Sequence, residues 1–332
     1  MKGFIWNQIL SIEFRNNLIR IVTGKLYKNK LIVKNSFSID LPDNIYENGD
    51  IKDSQQLSYI IKRQLELKKI RIRNTHILLD TDRIVIREIV LPSAVESSYH
   101  EFLHYHIEDF IPIKREDYII RYMLVDSLFN HETTRLLVMA APRNLVEGFH
   151  KILSNISLKP IVFDIVGNCI SKFLAYNEEF GNIASIGIDY SHTNVIVSNQ
   201  GQLRYNKQVN IGYMEMFEHL KELDLDKYDL IDLLSDESLD CESDVYISLD
   251  LANKSFQKLL LREIDLVLRY YLEDESIEKI YLYEDYSKVS NIESVFSDYF
   301  NTKCERISIL DDIDFNGDLL NYSNCIGGMI RL

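Results

Sequence analysis

Alternation of apolar and polar residues predicts a sheet in the first forty residues. From Ile9 to Ile39 the segments IEF, LIRIV, KLYK and KLIVKNSFSI alternate, and the pairs NN and GK are typical of turns. This pattern predicts a three-stranded meander. A helix is predicted at Ser54–Leu67, followed by a buried strand in the apolar run THILLD. The apolar residues on one face of that helix are Leu57, Ile60, Ile61 and Leu65.

The second half of the chain repeats this order of elements. The segments SIGIDY, NVIVSN and QLRYNKQVNI predict strands, helices are predicted near Met214–Glu222 and Asn253–Tyr271, and KIYLYE predicts another buried strand. The opening Ile12-Glu13-Phe14 is matched by Ile188-Asp189-Tyr190. We therefore predict an internal duplication with a cleft between the two copies.

This duplication divides the chain into two lobes, residues 1–182 and 183–332. The first lobe is predicted to carry an inserted α+β subdomain at about residues 87–161. The second is predicted to carry an acidic insert at about residues 213–275, because ten carboxylates and one lysine lie between Asp224 and Asp250. A solvated face is the expected role of the acidic residues, and a docking site for a basic partner is the alternative. The elements predicted within residues 87–161 are a helix at Ser97–Phe110, strands at Tyr118–Asp126 and Arg135–Ala140, and a helix at Leu145–Ile156.

Charge and composition narrow the classes of partner. The chain has 332 residues, 46% of them hydrophobic, and a net charge of −14. An acidic protein repels nucleic acid and anionic lipid, so we expect neither nucleic acid nor a bare membrane as a partner. No uncharged apolar run reaches the roughly 18 residues of a membrane span, and no direct membrane insertion is expected. The four cysteines have no metal-binding spacing, which favours a reducing cytoplasm.

Longer motifs resemble one known family. The segment REIVLPSAVESSYHEFLHYHIEDFIPIKREDYIIRYMLVD is similar to the inserted subdomain of the PilM family of type IV pilus assembly proteins, which are actin-like relatives of the cell-division protein FtsA. VMAAPRNLVEGFHKILSNISLKPIVFDIVGNCISKFL, SIGIDYSHTNVIVSNQGQLRYNKQVNIGYMEM and the closing NCIGGMIRL are similar to later parts of the same family. The resemblance covers about Leu10 to Leu332. It implies an actin-like, RNase H-like duplicated fold of two α/β lobes with an FtsA-type subdomain inserted in the first.

The resemblance also implies a function. Family members are cytoplasmic proteins that bind the N-terminal tail of the inner-membrane protein PilN in a groove beside the inserted subdomain. They hold ATP in the cleft between the lobes. We therefore expect a cytoplasmic scaffold recruited to the inner face of the membrane by a PilN-like partner, with motor ATPases as further candidate partners.

The nucleotide motifs of the family are altered in this chain. Members carry Asp-x-Gly in two phosphate-binding hairpins and a Gly-Gly pair beside the adenosine, because bare backbone can approach an anion closely. Here Glu13 stands at the first acidic position and Arg15 at the glycine position. Glu284 and Asp285 stand at the glycine pair. The cleft residues expected from the resemblance are Glu13, Arg15, Asn16, Asp189, Ser191, Glu284 and Asp285.

The second hairpin can be matched in two registers. A gapless match to the family puts Gly187 at the acidic position and Asp189 at the glycine position. The internal repeat instead makes Asp189 the acid and Ser191 the residue two positions later. Both registers lack the glycine.

We therefore predict a degenerate nucleotide site, comparable to the cytoplasmic domain of the type II secretion protein GspL, with no cofactor and no catalysis. The alternative is a functional actin-like ATPase that binds ATP and Mg²⁺ and whose nucleotide state controls partner binding. In that case Arg15 would clamp a phosphate through two hydrogen bonds.

Two further sets of residues are candidates for binding. His100-Glu101-Phe102-Leu103-His104 matches the zinc motif H-E-x-x-H, with Glu147 and His150 as possible further ligands, but its place in the subdomain helix favours a structural role and no metal is expected. For the partner tail we predict an apolar floor at the inserted subdomain. The alternative is that these residues belong to the core. They are Ile84, Ile86, Leu91, Pro92, Phe110, Ile111 and Pro112.

Overall fold

The computed structural model describes residues 8–27, 30–92, 99–127, 133–177, 181–220, 227–236, 243–272, 276–309 and 312–331. The chain divides into two units. The first takes in the described residues of Met1–Phe173, Asp311–Gly317 and Asn324–Leu332, and the second those of Leu174–Leu310 and Asp318–Ser323. The division after Phe173 differs from the predicted one after residue 182. Part of the C-terminal segment also returns to the first unit, because Ile313 and Asp314 pair with a strand of the first sheet.

The first unit is built around a six-stranded mixed sheet with the order β10-β6-β1-β2-β3-β16. β1 pairs antiparallel with β2 and parallel with β6, and β2 pairs antiparallel with β3. The predicted three-stranded meander is thereby confirmed, but the turn predicted at Gly24-Lys25 is wrong, because the second strand continues through these residues to Tyr27. The strands are β1 (Ile9–Phe14), β2 (Leu18–Tyr27), β3 (Lys30–Asp40), β6 (Asn74–Leu79), β10 (Lys159–Ile165) and β16 (Ile313–Asp314), with a separate small hairpin of β4 (Tyr46–Glu47) and β5 (Asp50–Ile51).

Helices α1 (Ser54–Leu67) and α3 (Arg143–Asn155) bury apolar faces in the core of this unit. Asp53 caps α1 by accepting hydrogen bonds from the backbone N–H groups of residues 55 and 56, which explains why the helix begins where it was predicted. The ring of Phe149 in α3 lies 4.6 Å from that of Phe14 in β1. The helix α4 (Val166–Tyr176) follows β10.

A three-stranded sheet with the order β7-β9-β8 forms the inserted subdomain. Helix α2 packs on it through Leu103 and Ile107, in a core separate from that of the first sheet. We predicted residues 87–161 for the insert, but α3 belongs to the core of the first sheet and β10 pairs with β6. The insert therefore ends near Pro142. Its elements are β7 (Val85–Pro92), α2 (Tyr99–Phe110), a 3-10 helix at Arg115–Asp117, β8 (Tyr118–Ser127) and β9 (Thr133–Pro142).

The second unit contains a five-stranded sheet with the order β13-β12-β11-β14-β15. Read from the opposite edge, this order repeats that of β10-β6-β1-β2-β3, with the same parallel and antiparallel neighbours around β11 as around β1. The predicted duplication is thus present in the strand topology. The elements are β11 (Asn182–Ile188), β12 (Thr193–Asn199), β13 (Gln202–Val209), a 3-10 helix at Tyr213–His219, α5 (Lys227–Ser235), α6 (Asp244–Leu272), β14 (Lys279–Tyr283), a 3-10 helix at Asp285–Lys288, α7 (Ile292–Phe300), β15 (Lys303–Arg306) and α8 (Leu319–Gly327).

The predicted acidic insert at residues 213–275 needs correction. Helix α6 buries residues such as Phe256, Leu260 and Ile264 against the second sheet, so it is part of the core of this unit. The acidic residues at positions 221–226 and 237–242 lie outside the described residues.

Candidate functional site

The turn after β1 holds a buried ion-pair network. Glu13 and Arg15 have no exposed surface, and Asp80, which follows β6, is 3% exposed. Arg15 Nη1 lies 3.0 Å from Glu13 Oε1, and Arg15 Nη2 lies 3.1 Å from Asp80 Oδ2. The parallel pairing of β1 with β6 brings the two carboxylates to the same end of the sheet. The guanidinium is therefore held between two acids of its own chain.

A second arginine and α8 complete the surroundings of Glu13. Arg20 Nη1 lies 4.0 Å from Glu13 Oε2, and Asn324 donates a hydrogen bond of 3.0 Å to Glu13 Oε1. Burial and the charge of Glu13 raise the pKa of the Cys325 thiol, whose Sγ lies 3.7 Å from Glu13 Oε2. Within the described contacts, two arginines, Arg15 and Arg20, therefore lie beside two carboxylates, Glu13 and Asp80.

Asn16, the next predicted residue in this turn, has a local structural role. Its side-chain oxygen accepts a hydrogen bond of 2.7 Å from the backbone N–H of Asn48, in the turn between β4 and β5. Asn48 is also bonded to Thr81 and Asp82 after β6. Asn16 thus helps to hold the β4–β5 hairpin beside the end of the sheet.

The turn after β11 is also buried, but it is covered by backbone. Asp189 and His192 are 3% and 4% exposed, and the N–H of Asp189 donates to the carbonyl of His192 over 3.0 Å. The carbonyls of Asp189 and Tyr190 accept hydrogen bonds from the N–H groups of residues 213 and 214. A side chain at Gly212 would bring a Cβ within 2.2 Å of the Tyr190 oxygen, so the glycine allows this close approach. Ser191 is half-buried, and its Oγ lies 3.1 Å from His192 Nδ1.

Strand pairing favours one of the two registers for this hairpin. The last pair is Phe14–Ile19 in the first hairpin and Ile188–Thr193 in the second, so each turn has four residues. Arg15 then corresponds to Asp189, and Glu13 corresponds to Gly187. This is the gapless register, not the one suggested by the internal repeat of short sequences. The ring of Tyr283 lies beside Gly187, where an added Cβ would be 2.4 Å from Tyr283 Cζ.

The turn after β14 keeps a glycine-like backbone without a glycine. Glu284 is fully buried with φ 75° and ψ 178°, a conformation that is strained for any residue with a Cβ. Its N–H donates to the carbonyl of Leu320 over 3.1 Å.

Asp285 belongs to a polar cluster with α8. It lies 3.0 Å from Lys288 Nζ and accepts a hydrogen bond from Asn321, and both of these residues also contact Asp318. Burial alone would raise the pKa of Asp318, but the ammonium of Lys288 lowers it. Asp285 is therefore paired within its own unit.

A mostly apolar groove of about 540 Å³ lies beside the inserted subdomain. Its floor is formed by the face of β8 and β9 opposite the subdomain core, by Val146 of α3 and by the edge strand β10. Arg121, Asp164, Asn168 and Arg331 supply polar groups at the groove. Asp164 is itself paired with Lys172 at 2.7 Å. The apolar residues of the groove are Leu79, Ile84, Ile119, Met139, Ala141, Val146, Ile161, Val162, Phe163 and Ile165.

The predicted partner-binding residues divide into three groups. Ile84 lines this groove. Leu91 and Ile111 have to be removed from the predicted surface, because they are 2% and 0% exposed in the subdomain core. Ile86 is half-buried, Phe110 packs against the same core, and Pro92 and Pro112 are exposed at positions that do not line the groove.

Sequence reasoning missed most of the groove. β8 and β9 were predicted as strands, but pairing partners are needed to know which of their faces remain open. The signal that was present is the apolar stretch Ile161-Val162-Phe163 in a strand that ends up at a sheet edge.

The residues of the H-E-x-x-H motif are not arranged to bind a metal ion together with Glu147 and His150. His100 is exposed, and His104 Nδ1 is hydrogen-bonded to Arg115. Glu147 and His150 lie on α3, in another part of the unit. Within the described residues, no group of three or more His, Cys, Asp or Glu side chains is arranged to hold a metal ion. Nor does any helix among those residues have the length and hydropathy needed to cross a membrane.

Comparison with known proteins agrees with this architecture. The family model described as "Type IV pilus assembly protein PilM" matches residues 11–321. No curated protein is significantly similar in sequence. Among solved structures, the chain is similar to one described as "PilM-PilN type IV pilus biogenesis complex", at 18% identity and a TM-score of 0.78, covering 97% of this chain and 99% of the other.

Two further structures extend the comparison. The ethanolamine utilization protein EutJ from Carboxydothermus hydrogenoformans is 8% identical with a TM-score of 0.60, covering 97% of this chain and 89% of that one. Component A of (R)-2-hydroxyglutaryl-CoA dehydratase from Acidaminococcus fermentans is 7% identical with a TM-score of 0.52, covering 97% and 96%. Together with the duplicated sheets, these similarities show the predicted actin-like fold.

Proposed function

Because the chain belongs to the PilM family of type IV pilus assembly proteins, we propose that it is a cytoplasmic scaffold that binds the N-terminal tail of a PilN-like inner-membrane protein. The tail lies in the groove between the inserted subdomain and β10. Binding recruits the scaffold to the inner face of the membrane, and the scaffold acts without a bound nucleotide.

The groove is the observation that carries this proposal. It is lined by apolar side chains, it is bordered by the cations Arg121 and Arg331, and β10 is an edge strand of its sheet. An extended peptide can bind such a site by pairing its backbone with the strand edge and placing alternate side chains on the apolar floor. Ile161 on that edge is 46% exposed and lies among the other apolar residues of the groove, so its side chain is accessible to a bound peptide.

Two of the three motif positions, the first and the third, support a scaffold without ATP. A phosphate cradle needs backbone N–H groups that are open to the anion. At the first position Arg15 is fully buried between Glu13 and Asp80, which fits an internal ion pair better than a phosphate clamp. At the third position Glu284 places a buried carboxylate where a bare backbone is expected. These residues do not fit a triphosphate, and no step of the proposed function depends on one.

A peptide-binding measurement tests the proposal. A labelled peptide with the N-terminal sequence of the PilN-like protein is titrated with the purified chain, and binding is followed by fluorescence anisotropy. Ile161→Asp places a charge on the apolar floor, so we expect at least a tenfold loss of affinity, about 1.4 kcal/mol. Val90→Asp is the control, because Val90 is an exposed strand residue of the inserted subdomain, 53% exposed, and does not line the groove.

Folding of both variants is checked by circular dichroism. The groove assignment fails if the wild-type chain does not bind the peptide, or if Ile161→Asp and Val90→Asp bind it equally well. A separate titration with labelled ATP and Mg²⁺ addresses the alternative of a functional ATPase. Binding in the micromolar range, lost on chelation of Mg²⁺, would replace the nucleotide-free scaffold by that alternative.

A further inference from the structure

A cluster of cations lies at the end of the first sheet where β1, β6 and β10 begin. It surrounds a cavity of about 560 Å³ lined by Lys34 of β3 and by four cations of the connection between α1 and β6. Lys159, the first residue of β10, adjoins the cluster because its N–H donates to the carbonyl of Arg73 over 2.7 Å. We call these exposed residues the basic surface, and they are Lys34, Lys68, Lys69, Arg71, Arg73 and Lys159.

The basic surface lacks compensating acids. Throughout the described parts of the chain, none of its six side chains forms an ion pair, and no carboxylate lines the cavity. Several lysines elsewhere are paired, such as Lys52 with Asp50 and Lys254 with Asp250, each at 2.7 Å, whereas the basic surface brings together six cations without an ion pair among the described residues. In a protein with 51 acidic and 37 basic residues, six unpaired cations on one surface are a local reversal of the overall charge.

Local structure keeps these cations turned outward. Ile70 and Ile72 alternate with Lys69, Arg71 and Arg73, and the two isoleucines pack against the core of the first sheet. This alternation places Arg71 and Arg73 on the side opposite the isoleucines, where both are exposed. The connection is therefore anchored by its apolar residues while its charges face solvent.

We propose that the basic surface binds the anionic headgroups of a lipid bilayer. Clusters of exposed lysine and arginine bind acidic lipids, each cation contributing to the attraction. The net charge of −14 argued against a membrane partner. At physiological salt, however, charges more than about 8 Å apart are largely screened, so the charge of the local cluster determines whether this surface attracts an anionic membrane.

The position of the basic surface fits the proposed groove. Lys159 and Ile161 are two residues apart on β10, a separation of roughly 7 Å along a strand. A tail bound in the groove and a bilayer bound at the basic surface would therefore be neighbours. This step rests on the proposed function, whereas the charge and the exposure of the basic surface do not.

Vesicle sedimentation tests the inference. The purified chain is mixed with vesicles of phosphatidylcholine alone or of phosphatidylcholine and phosphatidylglycerol in a 7:3 ratio. We expect binding to the anionic vesicles only, and loss of binding at high salt. Removing two cations in Arg71→Gln/Arg73→Gln should weaken binding about 25-fold, or about fivefold for each cation. The control Lys258→Gln/Arg262→Gln removes the same charge from exposed positions on α6 and should bind as the wild type does.

The outcomes separate this inference from the proposed function. Arg71→Gln/Arg73→Gln should bind the PilN-like peptide with unchanged affinity, whereas Ile161→Asp should lose the peptide and keep the vesicles. The inference is overturned if the wild-type chain ignores anionic vesicles, or if both double variants bind them equally. It is also overturned if polyglutamate binds the basic surface and the vesicles do not, which would indicate an acidic protein partner instead.

Discussion

The turns after β1 and β11 have the same length and the same position in their sheets, but their interiors differ. Arg15 in the first turn is held between Glu13 and Asp80, with Arg20 close by. At the position of Glu13 the second hairpin has Gly187, and the ring of Tyr283 occupies the space beside it. At this position one hairpin therefore holds a paired charge and the other an aromatic ring.

This difference shows that two copies of a duplicated hairpin can keep the same backbone pairing while the side chains that pack inside them change. Paired charges are stable in a buried site only while each partner remains, because a lone buried charge is costly. A ring beside a glycine is stable only while no side chain is added, because the space is already filled. We therefore expect the first hairpin to be sensitive to loss of charge and the second to added volume.

The largest expected effect comes from removing the cation of the first hairpin. Arg15→Met leaves Glu13 and Asp80 buried without their shared partner, so we expect the free energy of unfolding to fall by about 3–5 kcal/mol. Urea denaturation followed by circular dichroism measures this change. The control Arg262→Met removes an exposed cation from α6 and should cost no more than about 0.5 kcal/mol.

A double variant shows whether charge is the reason. In Arg15→Met/Glu13→Gln one of the stranded carboxylates is also neutralised, so the loss should be smaller than the sum of the two single losses. Additive losses would mean that Arg15 and Glu13 contribute independently, and the contrast between the hairpins would no longer rest on paired charges.

A pH titration extends the contrast to the strand beside β1. His76 in β6 is 1% exposed, its Nδ1 lies 2.7 Å from the carbonyl of Gly328, and Arg331 lies 3.3 Å from its Nε2. Burial lowers the pKa of His76 to about 4. The neutral ring is therefore favoured in the folded state, while the unfolded chain takes up a proton near pH 6.5.

The contribution of neutral His76 to the free energy of unfolding should be fully present above pH 6.5. It should be lost as the pH falls toward 4, and the total loss should be about 3 kcal/mol. Denaturation midpoints measured across this window test the expectation. His76→Asn keeps an amide donor for the Gly328 carbonyl but does not titrate, so its stability should change less between pH 6.5 and 4. Equal slopes for the two proteins would assign the acid sensitivity to other groups.

Local signals explain which parts of the fold were predictable. Helix α1 was predicted with its observed bounds because Asp53 caps it and its apolar spacing is regular. The helix α3 was placed in the wrong subdomain because its amphipathic pattern does not say which sheet it covers. The ion pair of Arg15 with Asp80 could not be predicted from the sequence, because the two residues come together only through the parallel pairing of β1 with β6.

The candidate sites were likewise hard to predict, because they depend on contacts between residues that are far apart in the sequence. Leu91 and Ile111 have the composition of a groove floor, but they are buried by α2 and β9 in the subdomain core. The observed groove combines β8, β9 and β10 with Arg331, which is far from them in sequence. The departures from the glycine motifs were visible in the sequence, whereas the choice between the two hairpin registers required the strand pairing.

An added methyl group tests the second hairpin. Gly187→Ala would place a Cβ 2.4 Å from Tyr283 Cζ, and the ring is fully buried, so we expect a loss of about 1–3 kcal/mol in unfolding free energy. Gly148→Ala is the matched control, because its nearest neighbour is Ile51 Cδ1 at 3.4 Å and it lies within α3. Alanine should stabilise that helix by about 0.5–1 kcal/mol. Similar effects at both glycines would show that the Tyr283 ring can move aside, and the second hairpin would not be limited by volume.

The smallest expected effect concerns the strained turn beside β11, after β14. Glu284→Ala and Glu284→Gly both remove the buried carboxylate, but only glycine accepts φ 75° and ψ 178° without strain. The glycine variant should therefore be the more stable of the two by about 1 kcal/mol. The same pair of substitutions at Glu66, in the last turn of α1, should give the opposite order, because alanine is favoured in a helix by about 1 kcal/mol. If alanine is preferred at both positions, the backbone at residue 284 relaxes once the glutamate is gone. The glycine-like turn would then be imposed by the Glu284 side chain, and it would not be a feature that the second sheet retains independently of the residue it carries.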